Sequence, residues 1–198
     1  MFSETKDIQT SNLYKLLIGS VLPRPIAWVG SLNEKGIANL APYSFFTVAS
    51  VNPPVVGISI ANKDDGSKKD SLLNIESSQC FSVSMVSHKN VKAMSVTSEG
   101  FDADVNEFEM AGLTEAPCIK INSVRCVEAG VSFECTLREV KSFGDTAGAG
   151  NFVLADVVAI HVDDEVLDGF KIDSDKIDLV GRLAGANYTT TRDSFLIE

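Results

Sequence analysis

The most chemical stretch of the chain is Lys69-Asp70-Ser71. A lysine at the entrance of a helix, followed by a hydroxyl in the first turn, makes a plausible phosphate cradle. The lysine supplies a point charge, the serine a donor, and the free first-turn amides and helix dipole the rest. The same residues also describe a solvated lysine beside an ordinary helix cap, and spacing alone leaves both readings open. Asn39-Leu40-Ala41-Pro42-Tyr43-Ser44 sets small and polar residues and a proline inside an apolar run. Such an interruption marks a bulge, or a place where backbone comes close to something else. Gly148-Ala149-Gly150 invites a dinucleotide-loop reading, but the third glycine is missing. The segment also leads into a strand pattern, not into the helix whose N-terminus must meet a pyrophosphate. Arg24, held between Pro23 and Pro25, either fixes the chain entry or reaches a ligand. His161 reads as a strand-end histidine. No Ser/His/Asp set, carboxylate dyad or HExxH motif is present, and the four cysteines show no CxxC or zinc spacing.

The elements that must position these residues are mostly strands. Residues 25–32, 37–50 and 55–60 are β-rich apolar runs, separated by a polar turn at 33–36 and by Asn52-Pro53-Pro54. They predict a β-meander opening a larger sheet or barrel. Helical spacing over 11–18, with Leu13, Leu16 and Leu17 on one side, predicts a helix packed over one barrel end. A short amphipathic helix follows Asp70, its expected cap. Residues 80–85 alternate cleanly as a half-buried strand, and Ser87 is expected to cap a helix carrying Val91 and Met94. A loop over 97–116, with a turn of helix around 106–110, bears Phe101 and Phe108 and is expected to pack onto the body or a neighbour. Residues 124–143 predict a long strand or broken hairpin, with Phe133, Cys135 and Leu137 facing one way and Glu134, Thr136 and Arg138 the other. A turn and a strand over 152–162 complete a set suited to a closed barrel.

A length of 198 residues suits one domain spanning 1–198. The chain is 44% hydrophobic and 22% charged, as soluble globular proteins are. No apolar run suggests a membrane span, and the N-terminus lacks the basic and apolar regions of a signal peptide, so a cytoplasmic protein is expected. A net charge of -10 argues against nucleic acid as a partner, whose binding needs clustered Lys and Arg. It leaves room for a phosphorylated cofactor, which needs only a local cation and some amides. Cys80 and Cys135 fall in strand patterns and read as buried thiols.

PRPIAWV at 23–29, NLAPYSFF at 39–46, NPPVVGISI at 52–60, KDSL at 69–72, and VGRL at 180–183 with Tyr188 follow in an order that resembles the flavin reductase-like, FMN-binding split-barrel family. The resemblance covers nearly the whole chain. It implies a mainly β fold, a Greek-key-like antiparallel split barrel with a few short flanking helices, and a homodimer with flavin near the subunit interface. Lys69, Asp70 and Ser71 match positions that hold the flavin phosphate. Asn39, Ala41, Pro42, Tyr43 and Ser44, with Ser59, Ile60, Ala61 and Asn62, match positions that meet the isoalloxazine edge and ribityl chain. Trp28 lies on a strand beside the flavin, where a large aromatic either covers a ring or fills core. Ala184 stands where many relatives carry glycine, which puts the closing turn in question. The implied activity is NAD(P)H-dependent flavin reduction, with electrons passed to free flavin, a metal complex or a protein such as a monooxygenase. The chemistry belongs to flavin N5 and no protein residue is given a proton-transfer role. The alternatives are a flavoredoxin-like FMN electron carrier without fast NAD(P)H reaction, and a cofactor-less ligand-binding barrel.

Overall fold

Strands β1 (Ala27–Leu32), β2 (Ala38–Tyr43), β3 (Phe46–Val51), β4 (Pro54–Ala61) and β5 (Cys80–Met85) occupy the first half of the chain. The short β6 (Glu115–Pro117) and β7 (Val124–Cys126) precede the long β8 (Val131–Ser142) and β9 (Gly150–Val162). The computed structural model describes residues 2–197. Seven strands form one antiparallel sheet in the order β2-β1-β5-β8-β9-β4-β3. β2 and β3 therefore stand at opposite ends of that order, although only Ser44 and Phe45 separate them in the chain. Three peptide steps span at most about 11 Å, so the sheet must curl until its two edges meet at this corner. The amide of Ser59 donates to the carbonyl of Phe45 at 2.8 Å and pins the corner onto β4. The expected meander is corrected here: β1–β2 and β3–β4 are hairpins, but the step from β2 to β3 crosses the barrel opening. The polar interruption near Pro42 marks that crossing.

β1 is buried along nearly its whole length because it separates two cores. Ala27 and Val29 face the barrel interior with Ile58, Ile60, Phe81, Val83 and Val153. Trp28 faces the outer side with Leu40, Met94, Phe108, Val124 and Cys126. A strand covered on both faces reads as a continuous apolar run. Gly30 sits where β7 crosses β1, and a Cβ built there would lie 2.4 Å from the carbonyl oxygen of Val124. Only glycine fits.

The helices are α1 (Thr10–Ser20), α2 (Asp70–Ser78), α3 (Val91–Val96), α4 (Glu107–Ala111) and α5 (Ser174–Ile177). α2 plugs the barrel with Leu72 and Ile75, both fully buried. α1 does not cover a barrel end as expected. Ile18 alone is buried, while Tyr14, Leu16, Leu17 and Val21 are exposed. An 11-residue helix is marginal in water without a packed face. Of the two expected partners for Phe108, it takes the body, being 1% exposed in the outer core.

β8 carries the clearest departure from alternation. Register shifts at Glu134/Cys135 and Leu137/Glu139 interrupt its pairing with β9. Glu134, expected to face outward with Thr136 and Arg138, is fully buried. Its carboxylate accepts from the amides of Ile119 at 2.8 Å and Lys120 at 2.7 Å, and it meets Nε2 of His161. Burial alone would raise its pKa, but these amides and His161 outweigh burial and hold the carboxyl below its ordinary value of 4.5. The stabilisation is therefore present above the ordinary value and is lost as pH falls through the depressed one. Glu134→Gln is therefore expected to lower the denaturant midpoint at neutral pH and to flatten its decline on acidification. An unchanged acid limb would mean that Glu134 contributes nothing to acid sensitivity.

At the C-terminus, Val180–Arg182 pairs with Tyr188–Thr190. The Arg182 guanidinium bonds the Tyr188 hydroxyl and the Gly185 carbonyl. The turn needs its left-handed residue at Gly185, with φ +61. Ala184 thus leaves the turn intact. All four cysteines are free thiols, and Cys80, Cys126 and Cys135 are buried. Burial pushes the Cys126 thiol up to about 12.

Candidate functional site

The N-terminus of α2 opens into a cleft of about 650 Å³ between β2, the loop after β4, the 97–101 segment and the tip of the β8–β9 hairpin. Lys69 is the N-cap residue, in extended conformation and without a side-chain cap bond. Asp70 is not the cap, contrary to expectation, because its carboxylate is taken by Lys63 Nζ at 3.1 Å. Among the described residues, nothing accepts from the amides of Asp70 and Ser71. These are the unpaired donors that any helix start leaves over. Of three neighbouring lysines, Lys63 pairs with Asp70 and Lys68 pairs with Glu76 at 2.7 Å. Lys69 is exposed and carries no carboxylate partner among the described residues, its Nζ lying 5.8 Å from the centroid of the Tyr43 ring. One unneutralised cation and two unpaired amides converge on one end of the cleft.

Nine residues singled out from the sequence line this cleft: Asn39, Ala41, Pro42, Tyr43, Ala61, Asn62, Lys69, Asp70 and Ser71. Several are held in place by one another. Tyr43 donates its hydroxyl to Ser71 Oγ at 3.0 Å, and Ser71 donates to Asn39 Oδ1 at 2.6 Å. Asn39 Nδ2 donates to the Glu107 carboxylate. Burial pushes the Tyr43 phenol up to about 12. The Asn62 side chain faces the hairpin tip, donating to the Thr146 carbonyl at 3.3 Å and accepting from Asn151 Nδ2 at 2.8 Å. It thereby secures the turn that brings Gly148 to the cleft. Gly148, with φ +73, sits in a turn at the hairpin tip closed by the Ala149 amide on the Thr146 carbonyl at 3.1 Å, in agreement with the rejection of a dinucleotide loop.

Ser44 and Ser59 line a neighbouring apolar groove of about 530 Å³, with Leu17, Val21, Phe45 and Phe152. Cleft and groove adjoin through chain continuity, Tyr43 lining one and Ser44 the other. Two residues are placed elsewhere. Trp28 is wholly inaccessible, and its Nε1 donates to Thr97 Oγ1 at 2.8 Å, so its ring fills core and has no face for a ligand. Ile60 points into the barrel and is 0% exposed; only its carbonyl, accepting from Asn151 Nδ2, is turned toward polar groups. Arg24 is structural. Its guanidinium bonds the carbonyls of Ile18, Val21 and Leu183 and reaches Ser44 Oγ at 3.3 Å. No sequence signal assigns Glu107, Lys63 or the 97–101 segment to the site. Their partners lie seven to nearly seventy positions away, and no local pattern records such pairings.

The chain belongs to the flavin reductase like domain family, whose model matches residues 18–176. It is similar to nitrilotriacetate monooxygenase component B of Bacillus cereus, 30% identical over 100% of this chain and 98% of that one, with a TM-score of 0.95. It is also similar to the 2-nitrobenzoate 2-nitroreductase NbaA of Pseudomonas fluorescens, 30% identical over 100% and 95% of the two chains, with a TM-score of 0.90. A split-barrel-domain protein of Shewanella frigidimarina, 20% identical over 100% and 98%, superposes with a TM-score of 0.83, a likeness of fold alone. The curled seven-stranded sheet is thus the split barrel of this family. Among the described residues, no helix is long and apolar enough to cross a membrane.

Proposed function

We propose that this protein binds FMN and acts as an oxidoreductase that takes hydride from NAD(P)H and hands electrons to free flavin, a metal complex or a protein partner. The observation that carries the reading is the pairing at the start of α2: among the described residues, two amides without partners lie beside Lys69, the one of three neighbouring lysines without a carboxylate. The residues present fit the cofactor. A phosphate monoester is dianionic near neutral pH and suits a helix N-terminus with one local cation. The adjoining groove has apolar walls for a ring system and the Ser44 and Ser59 hydroxyls for its polar edge. A bound flavin supplies hydride acceptance at N5 and release of electrons singly or in pairs.

The chain's own residues bind and orient. Lys69 and the amides of Asp70 and Ser71 hold the anionic end. Ala41, Pro42 and Ala61 border the middle of the cleft without bulk. Arg24 donates to Ser44 Oγ and so leaves the Ser44 hydrogen to be donated elsewhere. No residue of the cleft is assigned a proton-transfer step. The exposed apolar face of α1 and the exposed Val48 and Val51 of edge strand β3 support a homodimer, since edge strands and apolar faces of this kind need covering. A monooxygenase or another acceptor protein is the expected recipient where electrons leave by protein contact.

Anaerobic mixing of FMN-loaded protein with NADH, and separately NADPH, tests the reading. Bleaching of the bound flavin within seconds is expected with at least one of them. Stable yellow protein after prolonged mixing would place it with the electron carriers, and protein that takes up no FMN would overturn the flavin site itself.

A further inference from the structure

Behind the anionic end of the cleft, four polar side chains are linked in a single line whose direction can be read. Glu107 ends it, and a carboxylate only accepts. Its oxygens accept from the Leu40 amide at 3.1 Å and from Asn39 Nδ2. No Lys, Arg or His pairs with it among the described residues, although it is 8% exposed. Because Asn39 turns its NH2 to Glu107, its Oδ1 must face Ser71, from which it accepts at 2.6 Å. Ser31 Oγ approaches the same oxygen at 3.4 Å. Ser71 accepts in turn from Tyr43. Every hydrogen in the line points toward Glu107. A hydroxyl carries one hydrogen, so while Glu107 is ionised neither Ser71 nor Tyr43 has one to offer toward the cleft.

The charges that line the cleft together with this carboxylate decide what a bound anion would do. From β2 comes the neutral Tyr43. From the loop after β4 come Lys63 and Asp64, and from α2 Lys69 and Asp70. Glu99 comes from the segment before α4. Lys63 and Asp70 neutralise one another. Asp64 and Glu99 are exposed and water-screened. Lys69 alone remains to face the anion, while Glu107 opposes it from a buried position. Like charges sharing a site drive one of them to take up a proton. Burial already pushes the Glu107 carboxyl above its ordinary range, with Asp70 adding to the effect.

We propose that Glu107 is a positioning residue that couples anion binding in this cleft to the uptake of one proton. The proton comes from solvent and forms an O–H on Glu107, which then donates to Asn39 Oδ1 once the amide has turned over. Asn39 Nδ2 donates to Ser71 Oγ, Ser71 donates to Tyr43, and the Tyr43 hydrogen is released toward the cleft. The only covalent changes are the new O–H on Glu107 and the loss of that proton by hydronium or a buffer acid; the long Ser31 contact to Asn39 Oδ1 is given up when the amide turns. Burial and hydrogen bonding of the Leu40 amide are unchanged. By linkage, the proton favours the anion by the same factor as the anion favours the proton. The identity of the anion as the FMN phosphate rests on the function proposed above; the coupling itself needs only an anion beside Lys69.

The test compares wild type with Glu107→Gln. Glutamine carries an N–H where the neutral acid carries O–H, and so holds the reversed line at every pH. FMN and riboflavin are titrated into both proteins at about pH 5.5 and about pH 8. The FMN phosphate titrates near 6 on its own, so the two proteins are compared at the same pH. At the higher pH the variant is expected to bind FMN about tenfold more tightly than wild type, a gap that closes at the lower pH. Riboflavin affinity should be equal in both. Parallel FMN curves for the two proteins would overturn the proposal. Should Glu107→Gln fail to fold, calorimetry of wild type with inorganic sulfate in two buffers of different ionisation enthalpy decides it, since sulfate does not titrate there. Uptake of up to one proton is expected; binding without uptake, or no anion binding at all, would contradict the coupling. Binding of sulfate with proton uptake but no binding of FMN would leave the coupling standing and remove the flavin reading.

Discussion

Trp28→Ala is expected to destabilise the protein by about 3–5 kcal/mol, the usual cost of removing a fully buried large aromatic. Trp28 is 0% exposed on the outer face of β1, packed with Leu40, Met94, Phe108 and Cys126. Alanine would leave a cavity walled by strands and two helices, which cannot all close in together. A second loss is polar. Trp28 Nε1 donates to Thr97 Oγ1, and Thr97 donates to the Met94 carbonyl at 2.9 Å. Without the indole, Thr97 loses a donor in a buried place, at a further cost of about 1 kcal/mol. Thr97 also begins the segment that borders the cleft, so flavin affinity should fall with stability. Urea unfolding followed by circular dichroism measures the first effect. A midpoint shift corresponding to less than about 1 kcal/mol would show that the ring is not core, and would return Trp28 to the role of flavin neighbour.

Much of the barrel was legible because its signals are local. The polar turn at 33–36 with Gly36 at φ +77 mapped directly onto the β1–β2 hairpin. Cys80–Met85 is the expected strand, but it is buried on both faces and not half-buried, because β7 covers Ser82 and Ser84. What escaped is non-local. The run at 37–50 looks like one strand with a polar interruption, and the interruption by itself does not say that Ser44 and Phe45 join opposite edges of a sheet. Glu134 fits an outward position by alternation; a bulge, two loop amides and His161 put it inside. The site divides the same way. Lys69 and Ser71 were visible beside a helix start, and the motifs of the resemblance brought Asn39 and Tyr43 into view. That Ser71 faces Asn39 and that Glu107 sets the direction of their bonds depends on side chains 32 and 68 positions apart. Such distances leave no mark on periodicity or composition. Trp28 was ambiguous for a different reason: a strand between two cores has no polar face to show which way its ring points.

Lys69→Ala carries the second large expected effect. A charge-assisted hydrogen bond contributes roughly 1.5–3 kcal/mol, so losing it should weaken FMN binding on the order of ten- to a hundredfold. The neighbouring lysines cannot substitute cheaply, because Lys63 and Lys68 would each have to leave a carboxylate partner. The fold should be unaffected, as Lys69 is exposed and its side chain caps nothing. Added salt should lower wild-type affinity only modestly, since a phosphate half-enclosed by the cleft is screened less than an open surface pair.

If the start of α2 is a flavin phosphate site, FMN and riboflavin must bind differently, and paired titrations with the two ligands decide it. Quenching of flavin fluorescence is followed for wild type and for Lys69→Ala with both ligands. The expected result is tight FMN binding by wild type, much weaker riboflavin binding, a ten- to hundredfold loss for FMN alone in the variant, and riboflavin affinity unchanged. Equal affinity of wild type for the two flavins, or equal losses for both in the variant, would contradict it.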